Sequence, residues 1–362
     1  MSTTKPEVLV AMSGGVDSSV AAALLVDQGY RVVGVTMKLW GGESDSGCCA
    51  ISDVDDARRV AHQLGIDHHV FNFGEDFERH VVEPYVRAHA VGRTPNPCIE
   101  CNRHLKFDRL LRRASMLGIE LVATGHHARV VTDAHGMHRV ARGADRAKDQ
   151  SYVLHMLGHE QLARLSFPLG DTTKDHVRAI ARARGLRTAV KPDSQDVCFI
   201  TSTGGRSQFL GDRLELTPGW VVDEQGTVVG AVPSVQLVTI GQRKGLGLAG
   251  GTRHPRFAVD VDIASATVTI GRRADLDRPA VVLDDLVWNA MARAGAVRAG
   301  VARSGAVRAQ VSAHGQALAA TIDVANATLT WAVPQRRVAP GQAVVLYDDA
   351  TGDIVLGGGS AR

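Results

Sequence analysis

The stretch VLVAMSGGVDSSVAAALLVDQG, residues 8–29, decides the fold. VLVAM (8–12) is a short apolar run suited to a buried strand, and SSVAAALLVDQG (18–29) has helical periodicity that stops at Gly29. Where they join, AMSGGVDSSV (11–20) supplies glycines that let backbone approach a ligand, then a helix start. The unpaired N–H groups and positive dipole end of such a helix hold phosphate. Ser13, Ser18 and Ser19 add hydroxyl donors. Asp17 is out of place beside phosphate unless a magnesium ion bridges the two, as carboxylates commonly do.

Working outward, strand and helix signals keep alternating. RVVGVTM (31–37) and DHHVFNF (67–73) read as strands, with DVDDARRVAHQLG (53–65) helical between them. CNRHLKFDRLLRRASMLG (101–118) reads as a helix and IELVATG (119–125) as the strand after it. Strands alternating with helices imply an α/β domain built on a doubly wound parallel sheet, expected over residues 1–205. Beyond about residue 205 helical periodicity fades. GWVVD, TVVGAV, QLVTI, RFAVDVD and ATVTIG are short alternating runs, so two small β-rich domains are expected, at 206–277 and 278–362. Between 293 and 309 the sequence RAGAVRAGVARSGAVRA repeats GAVRA, placing Arg293, Arg298, Arg303 and Arg308 at a spacing that fits neither a helix face nor a strand face. A solvated loop flanking a strand is the simpler reading, and an RNA-facing edge the alternative.

The 362 residues are 44% hydrophobic and 22% charged, an ordinary globular balance. No run approaches the roughly 18 apolar residues of a membrane span. The start, MSTTKPEVLVAM, lacks the charged, apolar and small-residue sections of a signal peptide, so a cytoplasmic protein is expected. A net charge of +3 permits a nucleic-acid partner without arguing for one. Five cysteines (Cys48, Cys49, Cys98, Cys101, Cys198) are too few and too unevenly placed for a disulfide scaffold.

The phosphate loop is not a Walker A loop, because no lysine closes it. The order S-G-G-V-D-S resembles the PP-loop of ATP pyrophosphatases, which release pyrophosphate and leave AMP on the substrate. Two decoys are set aside. Gly245, Gly247 and Gly250 form G-x-G-x-x-G with no helix following, and HEQLA at 159–163 lacks the second histidine of a zinc-protease motif.

An adenylating enzyme needs a nucleophile to displace AMP, and thiols are at hand. Cys98, Cys101 and Cys198 lie in polar, turn-rich contexts that suggest exposure. Cys101 falls at the expected start of a helix, where the dipole lowers a thiol pKa. Lys191 in KPDSQDVCFI (191–200) could supply positive charge to Cys198, and the apolar CFI end suggests partial burial of that thiol. A zinc site lacks a second ligand pair to complete four. An iron–sulfur cluster on Cys98, Cys101 and Cys198 remains open, since three thiolates leave one iron free for sulfide. Cys48–Cys49 reads as a loop pair without a chemical role.

With these residues in view, the chain resembles the bacterial tRNA-specific 2-thiouridylases, which thiolate a wobble uridine. SGGVDSSV, CC followed by D-x-x-D-A, GRTPNPCIECN, KF, ATGHHAR, KDQSYVL, FPLG, KPDSQDVCFI and TIGQRKGL match family blocks in family order, over roughly residues 8–250. The resemblance implies a PP-loop domain followed by two β-rich domains, the last a tRNA-contacting β-barrel. It implies that ATP, with Mg2+, is held by Ala11, Met12, Ser13, Gly14, Gly15, Val16, Asp17 and Ser18, with Met37 and Gly125 beside them. ATP would adenylate the uracil 2-oxygen. Cys198 would carry a persulfide loaded by a sulfur-relay protein or cysteine desulfurase, and Cys101 would close a transient disulfide with it. Asn96, Pro97, Cys98, His126, Lys148, Asp149, Gln150, Arg308 and Gln342 match tRNA contacts, with tRNAs of the Lys, Glu and Gln type as substrates. The family often has an R-Y-R-like stretch near position 308. Here it reads VRAQ, which leaves Arg308 without a stacking tyrosine. A C–N-forming PP-loop ligase is the alternative on the same fold, and the thiols discriminate against it.

Overall fold

The computed structural model describes residues 5–40, 51–193, 197–200, 204–248, 254–289 and 304–362. Cys48, Cys49, Gly250, Arg293, Arg298 and Arg303 lie outside the described residues. The chain forms two compact units. One comprises residues 1–81, 97–202 and 353–355, and the other 82–96, 203–352 and 356–362.

The first unit is built on a five-stranded sheet in the order β3-β2-β1-β4-β7, every neighbouring pair parallel. Its strands are β1 (Glu7–Ala11), β2 (Arg31–Lys38), β3 (Asp67–Asn72), β4 (Leu121–Thr124) and β7 (Leu165–Ser166). Helix α1 (Val16–Asp27) follows β1, and α2 (Ile51–Leu64) links β2 to β3. Val8, Val10, Val20, Ala21, Ala22, Val60 and Ala61 are buried in one cluster with Val177 and Ala181 of a later helix, α4 (Lys174–Ala183). α1 is apolar almost all round because it is covered on nearly every side, as a core helix must be. The hairpin β5 (Ala128–Thr132) and β6 (His138–Arg142) pairs separately from this sheet.

The helix expected from Cys101 starts a turn earlier, at Pro97. It runs as α-helix through Glu100, is π-wound over Cys101–Arg109, and continues as α3 (Leu110–Met116). Cys101 is therefore past the first turn, where the dipole's effect has fallen away. The helix-start argument passes to Cys98.

The second unit holds a four-stranded sheet in the order β10-β11-β8-β9 and a closed six-stranded barrel. The first uses β8 (Gly219–Val222), β9 (Val228–Val232), β10 (Phe257–Asp262) and β11 (Thr267–Gly271). The barrel closes through β12 (Asp277–Trp288), β13 (Ser304–Gln310), β14 (Leu318–Asp323), β15 (Thr328–Arg336), β16 (Ala343–Asp348) and β17 (Val355–Ala361). Each has its own core, Val221, Val268 and Ile270 in one and Leu283, Ile322 and Leu346 in the other. QLVTI is not a strand. Val235–Leu237 form a 3-10 turn, because the amide of the buried Gln236 is tied to Thr217 and Ser234. Gly245 and Gly247 of the discarded dinucleotide motif lie in a bend, and a Cβ on Gly247 would collide with the carbonyl of Ala231.

Burial pushes four imidazoles well below the ordinary histidine value: His68, His89 and His155 to about 4, His126 to about 3. The folded chain keeps them neutral, whereas in the unfolded chain they charge as pH falls through 6.5. Below 6.5 the unfolded state binds more protons, so stability falls with pH until the folded values are reached. Urea titrations should show the midpoint dropping steadily between about pH 6.5 and about pH 4. A flat profile there would contradict the buried, neutral assignment.

Candidate functional site

Strand order reverses between β1 and β4, and in open parallel sheets ligands bind beyond the carboxyl ends of the strands at that point. The loop after β1 carries Ser13, Gly14 and Gly15, and the loop after β4 carries Gly125, His126 and His127. Gly14 has a φ of 72°, and a Cβ there would strike the main chain of Asp53. Gly125 presses on the start of α1, where a Cβ would come within 2.7 Å of Ser18 N and 2.8 Å of the Asp17 carbonyl carbon. The Ser18 hydroxyl accepts from Ser13 N at 3.1 Å, and Ser19 Oγ donates to the Gly15 carbonyl at 2.8 Å. No side chain caps the first turn of α1, and Ser13 is exposed above it. Ala11, Met12 and Val16 are buried, so only their backbone faces the loop. Met37 lies near the end of β2, which parallels β1.

Asp17 does not stand alone. Lys174 Nζ lies 2.7 and 2.6 Å from its two oxygens, and His127 Nε2 lies 3.2 Å away. Burial works against ionising Asp17, but the bonds from His127 and Lys174 outweigh it and hold the carboxyl below its ordinary range. Lys174 opens α4 behind the N-cap Thr173, whose hydroxyl accepts from His176 N.

The same lysine reaches the segment that leads to Cys198. Asp193 lies 2.9 Å from Lys174 Nζ, 2.8 Å from Lys148 Nζ and 2.7 Å from Arg178. Burial opposes its charge, yet Lys148 and Lys174 bring its pKa down to about 2. Lys191 does not serve Cys198. Its ammonium bonds the Gly14 carbonyl at 3.0 Å and Asp56 at 2.8 Å, and also pairs with Asp53. On the other side of Cys198, Phe199 is buried against Trp40 and Phe77, with ring centroids 6.2 and 5.7 Å away. Lys191, Asp193 and Phe199 thus fix the chain before and after a half-buried thiol.

The expectation that Cys101 is exposed needs correcting, whereas the partial burial expected of Cys198 is found. Cys98 is exposed, Cys198 intermediate and Cys101 buried, because the earlier helix start turns Cys101 inward. The tandem histidines are interior too. His126 is buried between Phe107 and Phe167, with Nδ1 2.6 Å from Thr124 Oγ1. Asp149 is also buried and organises its own loop, accepting from Arg142, Gly143 N and both the amide and hydroxyl of Ser151. Gln150 is exposed, and its side-chain Oε1 accepts from His127 N at 2.8 Å. Asn96, Arg308 and Gln342 belong to the second unit; Arg308 is exposed on β13 and Gln342 precedes β16. Among the described residues no three His, Cys, Asp or Glu side chains converge as a metal-ligand set.

Residues 6–202 match the family described as tRNA methyl transferase HUP domain. Residues 207–272 match the tRNA methyl transferase PRC-barrel domain, and 280–360 the aminomethyltransferase beta-barrel domain. The chain is similar over nearly its whole length to curated relatives named tRNA-specific 2-thiouridylase MnmA. The relative from Carboxydothermus hydrogenoformans is 45% identical over 368 residues, covering 98% of this chain and 97% of its own. Those from Sorangium cellulosum and Chloroflexus aggregans are 47% and 46% identical, covering 98% and 97% of this chain and 92% and 97% of their own. The chain belongs to the tRNA-specific 2-thiouridylase family.

The thiouridylase is a tRNA-uridine 2-sulfurtransferase. Sequence reading found the loop but not the residues around it. Lys174 and Arg178 were passed over, and Asp53, Asp56, His127 and Asp193 appeared only inside family blocks, because each is distant in sequence from its partner. The one local sign was the N-cap signal in DTTKD. Replacing Gly125 with alanine should weaken ATP binding at least tenfold, since the added methyl must push Ser18 N away from the loop. Titration calorimetry measures this, and unchanged affinity would show that the approach of Gly125 to α1 is not needed.

Proposed function

We propose that the thiouridylase replaces the 2-oxygen of a tRNA wobble uridine with sulfur in two stages. The uracil oxygen attacks the α-phosphorus of ATP held at Ser13–Ser18, and pyrophosphate leaves. The terminal sulfur of a persulfide on Cys198 then attacks carbon 2, and AMP departs with the original oxygen. The Cys101 thiolate attacks Cys198 Sγ, breaking the sulfur–sulfur bond and leaving sulfur on the ring. The resulting Cys101–Cys198 disulfide is reopened by an external dithiol, consistent with thiol–disulfide exchange. The observation that carries this reading is the anchoring of the Cys198 segment, through Lys191 and Asp193, to the phosphate loop and its Asp17–Lys174 pair. Methyl transfer, a word in two of the family descriptions, would need neither a pyrophosphatase loop nor paired thiols.

Magnesium suits this site as a companion of the ATP phosphates. Asp17 is the carboxylate placed to meet it, and the ion would neutralise charge on the departing pyrophosphate. Of the residues expected at tRNA, Cys98, Gln150 and Arg308 have exposed side chains and are assigned to RNA contact. Asn96 and Pro97 directly precede Cys98, and Gln342 directly precedes β16. Lys148, Asp149 and His126 act through the ion pair, loop and packing described above. The sulfur donor is a relay protein or cysteine desulfurase, and tRNAs of the Lys, Glu and Gln type are the substrates. No described helix is long and apolar enough to cross a membrane, in keeping with action in the cytoplasm.

Cys198→Ser should abolish thiolation while tRNA-dependent pyrophosphate release continues. Nucleoside mass spectrometry with ATP and a persulfide donor reads the first, and a phosphate-release assay the second. Run anaerobically with and without added iron, the same assay separates the persulfide relay from a cluster on Cys98, Cys101 and Cys198. Thiolation that requires iron would overturn the relay.

A further inference from the structure

Lys174 is a buried ammonium whose donors are all taken. It carries three hydrogens, and three carboxylate oxygens lie within 2.9 Å: both oxygens of Asp17 and one of Asp193. Asp17 stands at the phosphate loop, whereas Asp193 stands on the segment that bears Cys198. A polyphosphate entering the loop is an anion beside this ammonium, and its accompanying cation competes for Asp17. Lys174 cannot add a phosphate contact without giving up Asp17 or Asp193. A phosphate contact made at the expense of Asp193 would change the charge balance there.

The groups facing Asp193 divide by position. Lys148 belongs to the loop after β6, while Lys174 and Arg178 project from α4. Only Lys174 also touches Asp17. Arg178 bonds the Ala189 and Lys191 carbonyls and so holds the chain just before Asp193. On the far side of Cys198, the packing of Phe199 with Trp40 and Phe77 involves no charge. One anchor of the Cys198 segment is thus ionic and shares its lysine with the loop, and another is apolar.

We propose that Asp193 is a positioning residue that couples occupancy of the nucleotide loop to the setting of Cys198, with Lys174 as the shared cation. This rests on the reading of Cys198 as the sulfur carrier, but its test does not use sulfur transfer. The full-length protein is treated with iodoacetamide, with and without a non-hydrolysable ATP analogue and Mg2+, and alkylation of Cys198 is followed by peptide mass spectrometry. In the wild type the nucleotide should change the Cys198 rate by at least about fivefold, the lower end of ordinary coupling between sites. Asp193→Asn should bring the rates with and without nucleotide together, and Asp193→Glu should restore the difference. Lys148→Gln removes a partner of Asp193 that does not touch the loop, so it should keep the response.

An Asp193→Asn protein with the wild-type response would overturn the coupling, as would a wild type indifferent to nucleotide. Loss of the response in both Asp193→Asn and Lys148→Gln would mark general loosening and overturn it equally. If Asp193→Asn does not fold, Asp193→Glu and Lys148→Gln decide, since both must respond. Should Cys198→Ser retain thiolation, the carrier reading fails while the alkylation result stands by itself.

Discussion

A lysine buried in a protein interior is tolerated only when carboxylates surround it, because removing an ammonium from water costs several kcal/mol. Lys174 meets that condition with Asp17 and Asp193, and the layout of the site follows from it. Asp17 must sit at the first turn of α1, which fixes the phosphate loop beneath it. Asp193 must return to α4, which fixes the segment of Cys198 beside that loop. On the other side of the cysteine, Phe199 packs against Phe77 and Trp40.

The glycines serve the same arrangement from the backbone side. Gly14 lets the loop pass against the start of α2, where Asp53 and Asp56 receive Lys191. Gly125 lets the end of β4 lie on α1, which brings His127 to Asp17. The glycine loop and the segment leading to Cys198 are joined by two lysines, Lys174 and Lys191. Each pairs with residues far from it in sequence.

Much of this was legible in the sequence because it is local. The β1–loop–α1 unit, the parallel order of the first unit and the β-rich second half are written in periodicity and glycine placement. The loop motif and the thiols pointed to the chemistry. What escaped was of two kinds. Pairings across long separations, such as Lys174 with Asp17 or Lys191 with Asp53, leave no local pattern. Local signals also misled where tertiary contacts override them. The helix of Cys101 starts at Pro97 and buries the thiol, and Gln236 makes side-chain bonds that turn QLVTI out of strand geometry. His126 and Asp149, expected at tRNA from the resemblance, are interior residues.

The central chemical claim is that the uracil oxygen is activated by adenylation and leaves as part of AMP. The direct measurement is a single turnover on tRNA carrying oxygen-18 at carbon 2 of the wobble uridine, followed by mass spectrometry of the released AMP. The label should appear in the AMP phosphate in proportion to thiolation. Label found in water or pyrophosphate, with unlabelled AMP, would contradict the account.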